Sequence, residues 1–114
     1  MIIYGIKNCD TMKKAFNWLS KNNISYVFHD YKKSGIDRET IKGWLKHFAI
    51  DQIINTKGTT WKKLSDNEKD SIQDEAKAIK LMIENPSMIK RPILMFNHSF
   101  LLGFKEEEWE NSKI

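Results

Sequence analysis

Cys9 is the only cysteine of this chain and the residue best suited to chemistry. It stands where an apolar stretch gives way to an amphipathic pattern, so a strand is expected to pass into a helix there. A helix N-terminus presents unpaired N–H groups and the positive end of the helix dipole, and both favour a thiolate over a thiol. Lys7 is expected to add positive charge nearby. The alternative is a small buried hydrophobic residue, the commonest role of a lone cysteine.

The composition is that of an ordinary globular protein. The chain has 114 residues, of which 40% are apolar and 30% are charged, and this length suits one domain with its own core. No apolar run approaches the roughly 20 residues that span a bilayer, and residues 1–5 do not resemble a secretory signal. A lone cysteine cannot form an internal disulfide. The sequence therefore predicts a cytoplasmic protein that does not contact membranes.

Positive charge is concentrated in the first part of the chain. Residues 1–47 contain nine lysines and arginines and four acidic residues, whereas the whole chain has a net charge of +4. Such a half can face nucleic acid or a small anionic ligand, although solvated lysines on helix surfaces explain most of it. No basic stripe interleaved with aromatic residues and no nucleic-acid motif occurs, so direct binding to DNA or RNA is not predicted.

The N-terminal part has the pattern of a strand, a helix and a second strand. Residues 1–4 are apolar and precede Gly5, which favours a buried strand. After the capping candidates Asp10 and Thr11, apolar residues recur at helical spacing: Met12, Ala15, Phe16 and Leu19. Residues 26–31, rich in β-branched and aromatic side chains, predict the second strand. A βαβ unit normally has parallel strands and a right-handed crossover.

The middle of the chain is predicted to be helical. Asp37 can cap a helix whose apolar stripe is formed by Ile41, Trp44, Leu45 and Phe48. Ser65 and Glu68 have the spacing of a capping box. The residues after that box predict one long helix with the apolar positions Ile72, Ala76, Ile79 and Ile83. This helix must end before Pro86.

The C-terminal part returns to strands. Residues 93–96 and 100–102 flank the turn-like segment 97–99, which predicts an antiparallel hairpin. A closing helix over 105–110 would place Trp109 against the sheet.

The predicted order of elements, βαβ, then helices, then ββα, is that of an α/β protein with a thioredoxin-like fold. It predicts a single domain, residues 1–114, with an inserted helical subdomain at about residues 34–85. In such a core the residue that opens the third strand faces the tip of the first helix, and here it is Pro92. A cis bond would bring the preceding residue toward Cys9. The alternative is a trans proline at a strand start, where it loses no needed hydrogen bond.

Five motifs follow one another in the sequence: YGIKNCDT (4–11), FHDYKK (28–33), NTKGTTW (55–61), KRPI (90–93) and LGF (102–104). Together they resemble the arsenate reductase/Spx family, and within it the YffB-like branch most. The resemblance covers essentially the whole chain. It implies a thioredoxin-like fold with an inserted helical subdomain.

The resemblance also implies which residues are functional. It implies that Cys9 is the nucleophile and that Arg91, before the proline, lies close to it. A guanidinium stabilises a thiolate and holds a carboxylate or oxyanion in its planar fork; the alternative for Arg91 is a surface ion pair. Lys57 occupies a position that is usually basic in the YffB-like pattern, which implies an electrostatic role. The residues predicted to bind the thiol or substrate are Lys7, Asn8, Thr11, Lys57 and Pro92.

Two departures from the family pattern narrow the function. Arsenate reductases of this family use a further arginine after the last strand, whereas this chain has Lys105 there, which weakens the case for arsenate. Redox-sensing Spx regulators carry a Cys-x-x-Cys switch, whereas the second position here is Met12. The function that remains is that of a monothiol oxidoreductase.

The predicted reaction is thiol transfer at Cys9 through a mixed disulfide. Because the chain has no second cysteine to resolve the mixed disulfide, an external thiol must release Cys9 from it. This thiol is predicted to be glutathione, another low-molecular-weight thiol or a glutaredoxin-like protein. No bound cofactor is expected, and His29, His47 and His98 lack the spacing of metal ligands. The first alternative is an Spx-like adaptor that binds the RNA polymerase α subunit without catalysis. The second alternative is an arsenate reductase.

Overall fold

The computed structural model describes residues 1–112 and 114. Strands β1 to β4 are Ile2–Gly5, Val27–Asp30, Ile93–Phe96 and Ser99–Leu102. Helices α1 to α8 are Asp10–Lys21, Tyr31–Ser34, Arg38–Leu45, Ile50–Ile53, Thr59–Lys62, Asp66–Ser71, Glu75–Glu84 and Glu106–Asn111, and a 3₁₀ turn covers Pro86–Met88. The chain divides into two compact units, the first comprising Met1–Tyr31 with Arg91–Ile114 and the second Lys32–Lys90. The organisation as a single domain with a helical insertion remains a prediction.

The first unit contains a mixed β-sheet. Among the described residues, its strands are ordered β2-β1-β3-β4. β1 pairs with β2 in parallel, as the βαβ pattern predicts, and with β3 in antiparallel orientation. β3 and β4 form the predicted antiparallel hairpin, whose turn residues Asn97 and His98 both have positive φ. Two such residues match the type I′ geometry that suits the twist of a tight hairpin.

One face of this sheet is covered by α1 and α8. Ile3, at the centre of the face, is in register with Phe28 on β2 and Leu94 on β3, and these side chains pack with the apolar stripe of α1. Trp109 of α8 is fully buried in the same cluster, as predicted, and its Nε1 donates a hydrogen bond to the carbonyl of Gly103 at 3.1 Å. The cluster therefore fixes α1, with its N-terminus, against the sheet.

The second unit is mainly helical, and its local capping chemistry follows the sequence. The Asp37 carboxylate accepts a hydrogen bond from the N–H of Thr40 at 2.8 Å. Ser65 and Glu68 form the predicted capping box, with reciprocal bonds of 3.1 and 3.0 Å. α7 ends at Glu84, before the proline, as predicted.

The structure differs from the sequence prediction in three elements. The helix capped by Asp37 ends at Leu45, so Phe48, predicted in its apolar stripe, lies beyond it. The long helix predicted after the capping box is divided into α6 and α7, because Asp74 starts a new helix by accepting a hydrogen bond from the N–H of Lys77. The second strand was predicted over 26–31, but it covers Val27–Asp30, and Tyr31 is the first residue of α2. Within residues 1–112 and 114, no helix has the length and apolar character needed to cross a membrane.

Candidate active site

Cys9 is the N-cap residue of α1. Its backbone is extended, with φ −144° and ψ 130°, and its carbonyl accepts the first hydrogen bond of the helix from the N–H of Lys13 at 2.9 Å. This is the usual backbone of an N-cap, whose side chain lies near the N–H groups of the next residues. The thiol is partly exposed and packs at the edge of the core under the sheet. It can therefore meet a ligand from solvent while its position is fixed by packing.

The pKa of the Cys9 thiol is lowered from its ordinary value, although the effects on it oppose one another. Partial burial, the largest single effect, raises the pKa, but it is outweighed by the backbone N–H of Met12, the hydrogen bond from the Arg91 side chain, the backbone N–H of Thr11 and the charge of Arg91. All of these donors stabilise the thiolate, because they carry positive partial or full charge. The site thus favours the nucleophilic form of the sulfur.

Arg91 reaches Cys9 from the segment that precedes β3. The Arg91–Pro92 peptide bond is cis, and Pro92 is buried with its carbonyl accepting a hydrogen bond from Gly103 N–H at 2.7 Å. The next residue, Ile93, pairs with Tyr4 on β1, so the arginine stands beside the strand that leads into the cysteine loop. Cys9 and Arg91 are therefore brought together, as the family resemblance implied.

The other predicted site residues differ in their exposure and in the unit to which they belong. Lys7 and Asn8 are exposed. The groups that lower the Cys9 pKa belong to Met12, Thr11 and Arg91. Thr11 acts through its backbone N–H. Lys57 belongs to the second unit, where it is exposed and its N–H donates to the Asn55 side chain at 3.2 Å. The roles of Lys7, Asn8 and Lys57 in binding stay predictions.

Met12 is a functional neighbour that its residue type does not reveal. Its backbone N–H acts on the thiol, while its side chain is fully buried. The side chain packs so closely on Gly5 that a Cβ at that glycine would lie 2.5 Å from Met12 Sδ. Where a Cys-x-x-Cys motif would have its second cysteine, this chain therefore has a methionine whose side chain belongs to the core.

Tyr31 is a buried residue that follows β2 in the same unit. It is 3% exposed, and its ring centroid lies 6.2 Å from that of His29, which in turn lies 5.1 Å from that of Tyr4. Burial, the strongest effect, raises the pKa of Tyr31 above its ordinary value, and the charge of Arg91 acts in the opposite direction. The phenol is therefore neutral at physiological pH.

Within the described part of the chain, no cluster of three or more His, Cys, Asp or Glu side chains has the arrangement of a metal site. His29, which the family motif includes, packs between two tyrosine rings. The Cys9 sulfur and the Arg91 side chain that donates a hydrogen bond to it form a pair of thiolate and guanidinium.

The order of elements, the sheet order and a cysteine at the N-terminus of the first helix define a protein of the thioredoxin-like α/β class. The model of the ArsC family matches residues 4–112. The chain belongs to the ArsC family, which confirms the resemblance found in its motifs.

Individual relatives agree with this assignment. A solved structure described as the YFFB (PA3664) protein has a TM-score of 0.91 and 47% identity, and the match covers 96% of each chain. An uncharacterized protein of Haemophilus influenzae is 41% identical over 108 residues, which are 95% of this chain and 94% of that protein. The global transcriptional regulator Spx of Streptococcus pyogenes is 32% identical over 104 residues, 89% of this chain and 75% of its own.

The lowered pKa of Cys9 predicts how its alkylation depends on pH. With iodoacetamide, the rate for the folded protein should rise to a plateau with a midpoint below that of the urea-unfolded chain, which should lie at about 8.5. Since the protein has one cysteine, the rate reports Cys9 alone. A folded midpoint equal to or above the unfolded one would contradict the assignment of a stabilised thiolate.

The same shift predicts a pH-dependent stability with a definite sign. The folded state favours the thiolate, so Cys9 contributes stability above the unfolded pKa, and this contribution is lost as pH falls through the folded pKa. Between these two values, urea unfolding should show wild type gaining stability with pH relative to Cys9→Ala.

Proposed function

We propose that the protein is a monothiol oxidoreductase that reduces disulfides of the glutathione type through Cys9. The observation that carries this proposal is the environment of the sulfur, in which Arg91 and the N–H groups of Met12 and Thr11 lower the pKa of the thiol despite its burial. A thiolate, not a thiol, attacks disulfides, and the attack is fastest when the thiol pKa lies near the ambient pH. Membership of the ArsC family supports thiol-based chemistry.

The proposed reaction has two exchange steps. In the first, the Cys9 thiolate attacks the glutathionyl sulfur of a mixed disulfide R–S–S–G; a Cys9–glutathione disulfide forms, and the thiolate RS⁻ leaves and takes a proton from water. In the second, a glutathione thiolate attacks the glutathionyl sulfur of this intermediate, releases the Cys9 thiolate and leaves as oxidised glutathione. The second thiol must come from outside, because position 12 holds a buried methionine.

Arg91 has two roles in this proposal. Its guanidinium stabilises the Cys9 thiolate before attack and holds a carboxylate of the incoming peptide, since its fork matches carboxylate geometry. Lys57 and Lys7 add positive charge that attracts the anionic thiol, and Asn8, Thr11 and Pro92 complete the proposed binding residues. Another low-molecular-weight thiol with a carboxylate, or a glutaredoxin-like protein, can take the place of glutathione in the second step.

The test is formation and release of the mixed disulfide. The reduced protein is incubated with oxidised glutathione and analysed by intact mass, and one glutathionyl group per chain is expected. Addition of reduced glutathione should then restore the original mass, and a small glutathionylated substrate should be reduced with multiple turnovers. Failure to form the adduct at pH 7 to 8, with the protein folded and the thiol free, would reject the proposal.

A second candidate function is that of an adaptor which binds the RNA polymerase α subunit without catalysis. The observation that favours it is the 32% identity to a global transcriptional regulator, Spx, over most of the chain. A direct titration of this protein with the purified C-terminal domain of the α subunit tests it. Saturable binding that is equal for wild type and Cys9→Ser would support the adaptor, and absence of binding would remove it.

A further inference from the structure

Gly5 and Met12 form a close contact at the base of the segment that carries Cys9. Gly5 is the last residue of β1, and Met12 lies in the first turn of α1. A Cβ at Gly5 would lie 2.5 Å from Met12 Sδ and 2.6 Å from Met12 Cε. The contact therefore closes residues 6–11, the segment between strand and helix that contains the reactive sulfur.

The Met12 side chain fills the space that the missing Cβ of Gly5 leaves. It is fully buried and belongs to the core cluster that includes Ile3, Ala15 and Leu94. Non-bonded atoms in ordinary contact are about 3.5–4.0 Å apart, so a methyl group at position 5 would require a displacement of about 1 Å. Because protein interiors are close-packed, a buried side chain that is displaced in this way also moves its neighbours or its own backbone.

The backbone of Met12 connects this packing to the sulfur. Met12 is the third residue of α1 and Cys9 is the N-cap, and an N-cap side chain lies beside the N–H groups of the second and third helical residues. After burial, which raises the pKa of the Cys9 thiol, the N–H of Met12 has the largest effect and lowers it. A hydrogen bond weakens steeply when its geometry is lost, so a shift of this turn changes the stability of the thiolate.

We propose that Gly5 is a positioning residue for Cys9: its lack of a side chain lets Met12 pack against the end of β1, and this contact fixes the first turn of α1 beside the sulfur. The inference goes beyond the proposed function, because it concerns any reaction of the Cys9 thiolate. It gives the methionine at position 12 a part in the site through its packing.

The pH dependence of iodoacetamide alkylation in Gly5→Ala tests the proposal. The added methyl group should displace Met12 together with its N–H. The midpoint should therefore rise by about one pH unit relative to wild type, the effect of weakening one hydrogen bond to a charged group.

Met12→Val is the partner substitution of a double-mutant cycle. Valine ends at the Cγ position, which lies 3.5 Å from a Cβ at position 5, an ordinary contact. Alone, Met12→Val loses the contact with Gly5, so its midpoint should rise by a smaller amount. Adding Gly5→Ala to it restores a contact, and the midpoint of the double variant should fall back toward that of wild type. Gly5→Ala thus acts in opposite directions in the two backgrounds, and the second comparison remains valid if Gly5→Ala alone does not fold.

Leu19→Val is the matched control, since Leu19 is a fully buried residue of the same cluster about two turns further along α1. It should lower the free energy of unfolding without moving the alkylation midpoint. An unchanged midpoint in folded Gly5→Ala, an equal rise in Leu19→Val, or a double variant whose midpoint does not fall below that of Met12→Val would overturn the proposal. Failure of the proposed function is a separate outcome, because it appears as a missing glutathione adduct in wild type.

Discussion

Replacement of Cys9 by serine is expected to abolish disulfide turnover and at the same time to keep a hydrogen-bonding cap at the start of α1. A serine hydroxyl is not ionised at neutral pH, so no attacking anion exists and turnover should fall by about a thousandfold or more. Serine is, however, one of the best N-cap residues, and position 9 has the extended backbone of an N-cap. Its oxygen can accept from the N–H of Met12 or Thr11, as the Cys9 sulfur does, so the free energy of unfolding of Cys9→Ser should exceed that of an alanine variant by about 0.5–1 kcal/mol.

Cys9→Ala separates these two effects. Alanine removes the nucleophile and supplies no cap, so it should be as inactive as serine but less stable. Turnover is measured with a glutathionylated substrate and stability by urea unfolding of both variants at one pH. Residual turnover above about a tenth of wild type in Cys9→Ser would show that the reaction does not pass through this sulfur. Equal stability of the two variants would show that position 9 does not cap α1.

Local chemistry explains why much of the fold could be predicted. Asp37 and Ser65 cap helices through side chains that bond to the N–H three residues later, and this information is contained in a few adjacent residues. Asp74 carries the same signal, whereas the apolar spacing across it predicts one continuous helix. The break between α6 and α7 was therefore predictable from capping chemistry, which outweighs periodicity at a single turn.

The site was predictable only in part, because its contacts join distant parts of the chain. Helical spacing placed Cys9 at the start of α1, and that placement was correct. The contact with Arg91 was implied by the family motifs, whereas the place of Pro92 at the start of the third strand predicted it only for a cis bond, which the sequence left open. The contribution of Met12 comes from its backbone, which no residue-type argument reveals.

Tyr31 shows the limit of pattern arguments most clearly. The aromatic and β-branched composition of 26–31 assigned it to a strand, whereas it is the first residue of α2. Its burial depends on the rings of Tyr4 and His29, which sheet register brings together. A sequence pattern describes which side chains are apolar, but it does not describe which rings meet across a sheet.

Replacement of Arg91 by alanine is expected to have the second largest effect on activity. It removes both a hydrogen bond to the Cys9 sulfur and a positive charge beside it, so burial, which raises the pKa of the thiol, is opposed only by the two backbone N–H groups. The midpoint of iodoacetamide alkylation should move to higher pH than in wild type. Turnover of a glutathionylated substrate at pH 7 should fall by about 10- to 100-fold, because a hydrogen bond to a charged group contributes about 1.5–3 kcal/mol.

Arg91→Lys and Lys14→Ala show which property of the arginine matters. Lysine keeps the charge of arginine but not its planar fork. The pH midpoint of Cys9 alkylation in Arg91→Lys should therefore lie between those of wild type and Arg91→Ala. If the fork binds a carboxylate, the loss of turnover in Arg91→Lys should be close to that in Arg91→Ala. Lys14 is an exposed residue of α1, and its removal changes net charge by the same amount without touching the sulfur. An unshifted midpoint in Arg91→Ala, or an equal shift in Lys14→Ala, would show that the thiolate is stabilised by the helix N-terminus or by overall charge instead of by Arg91.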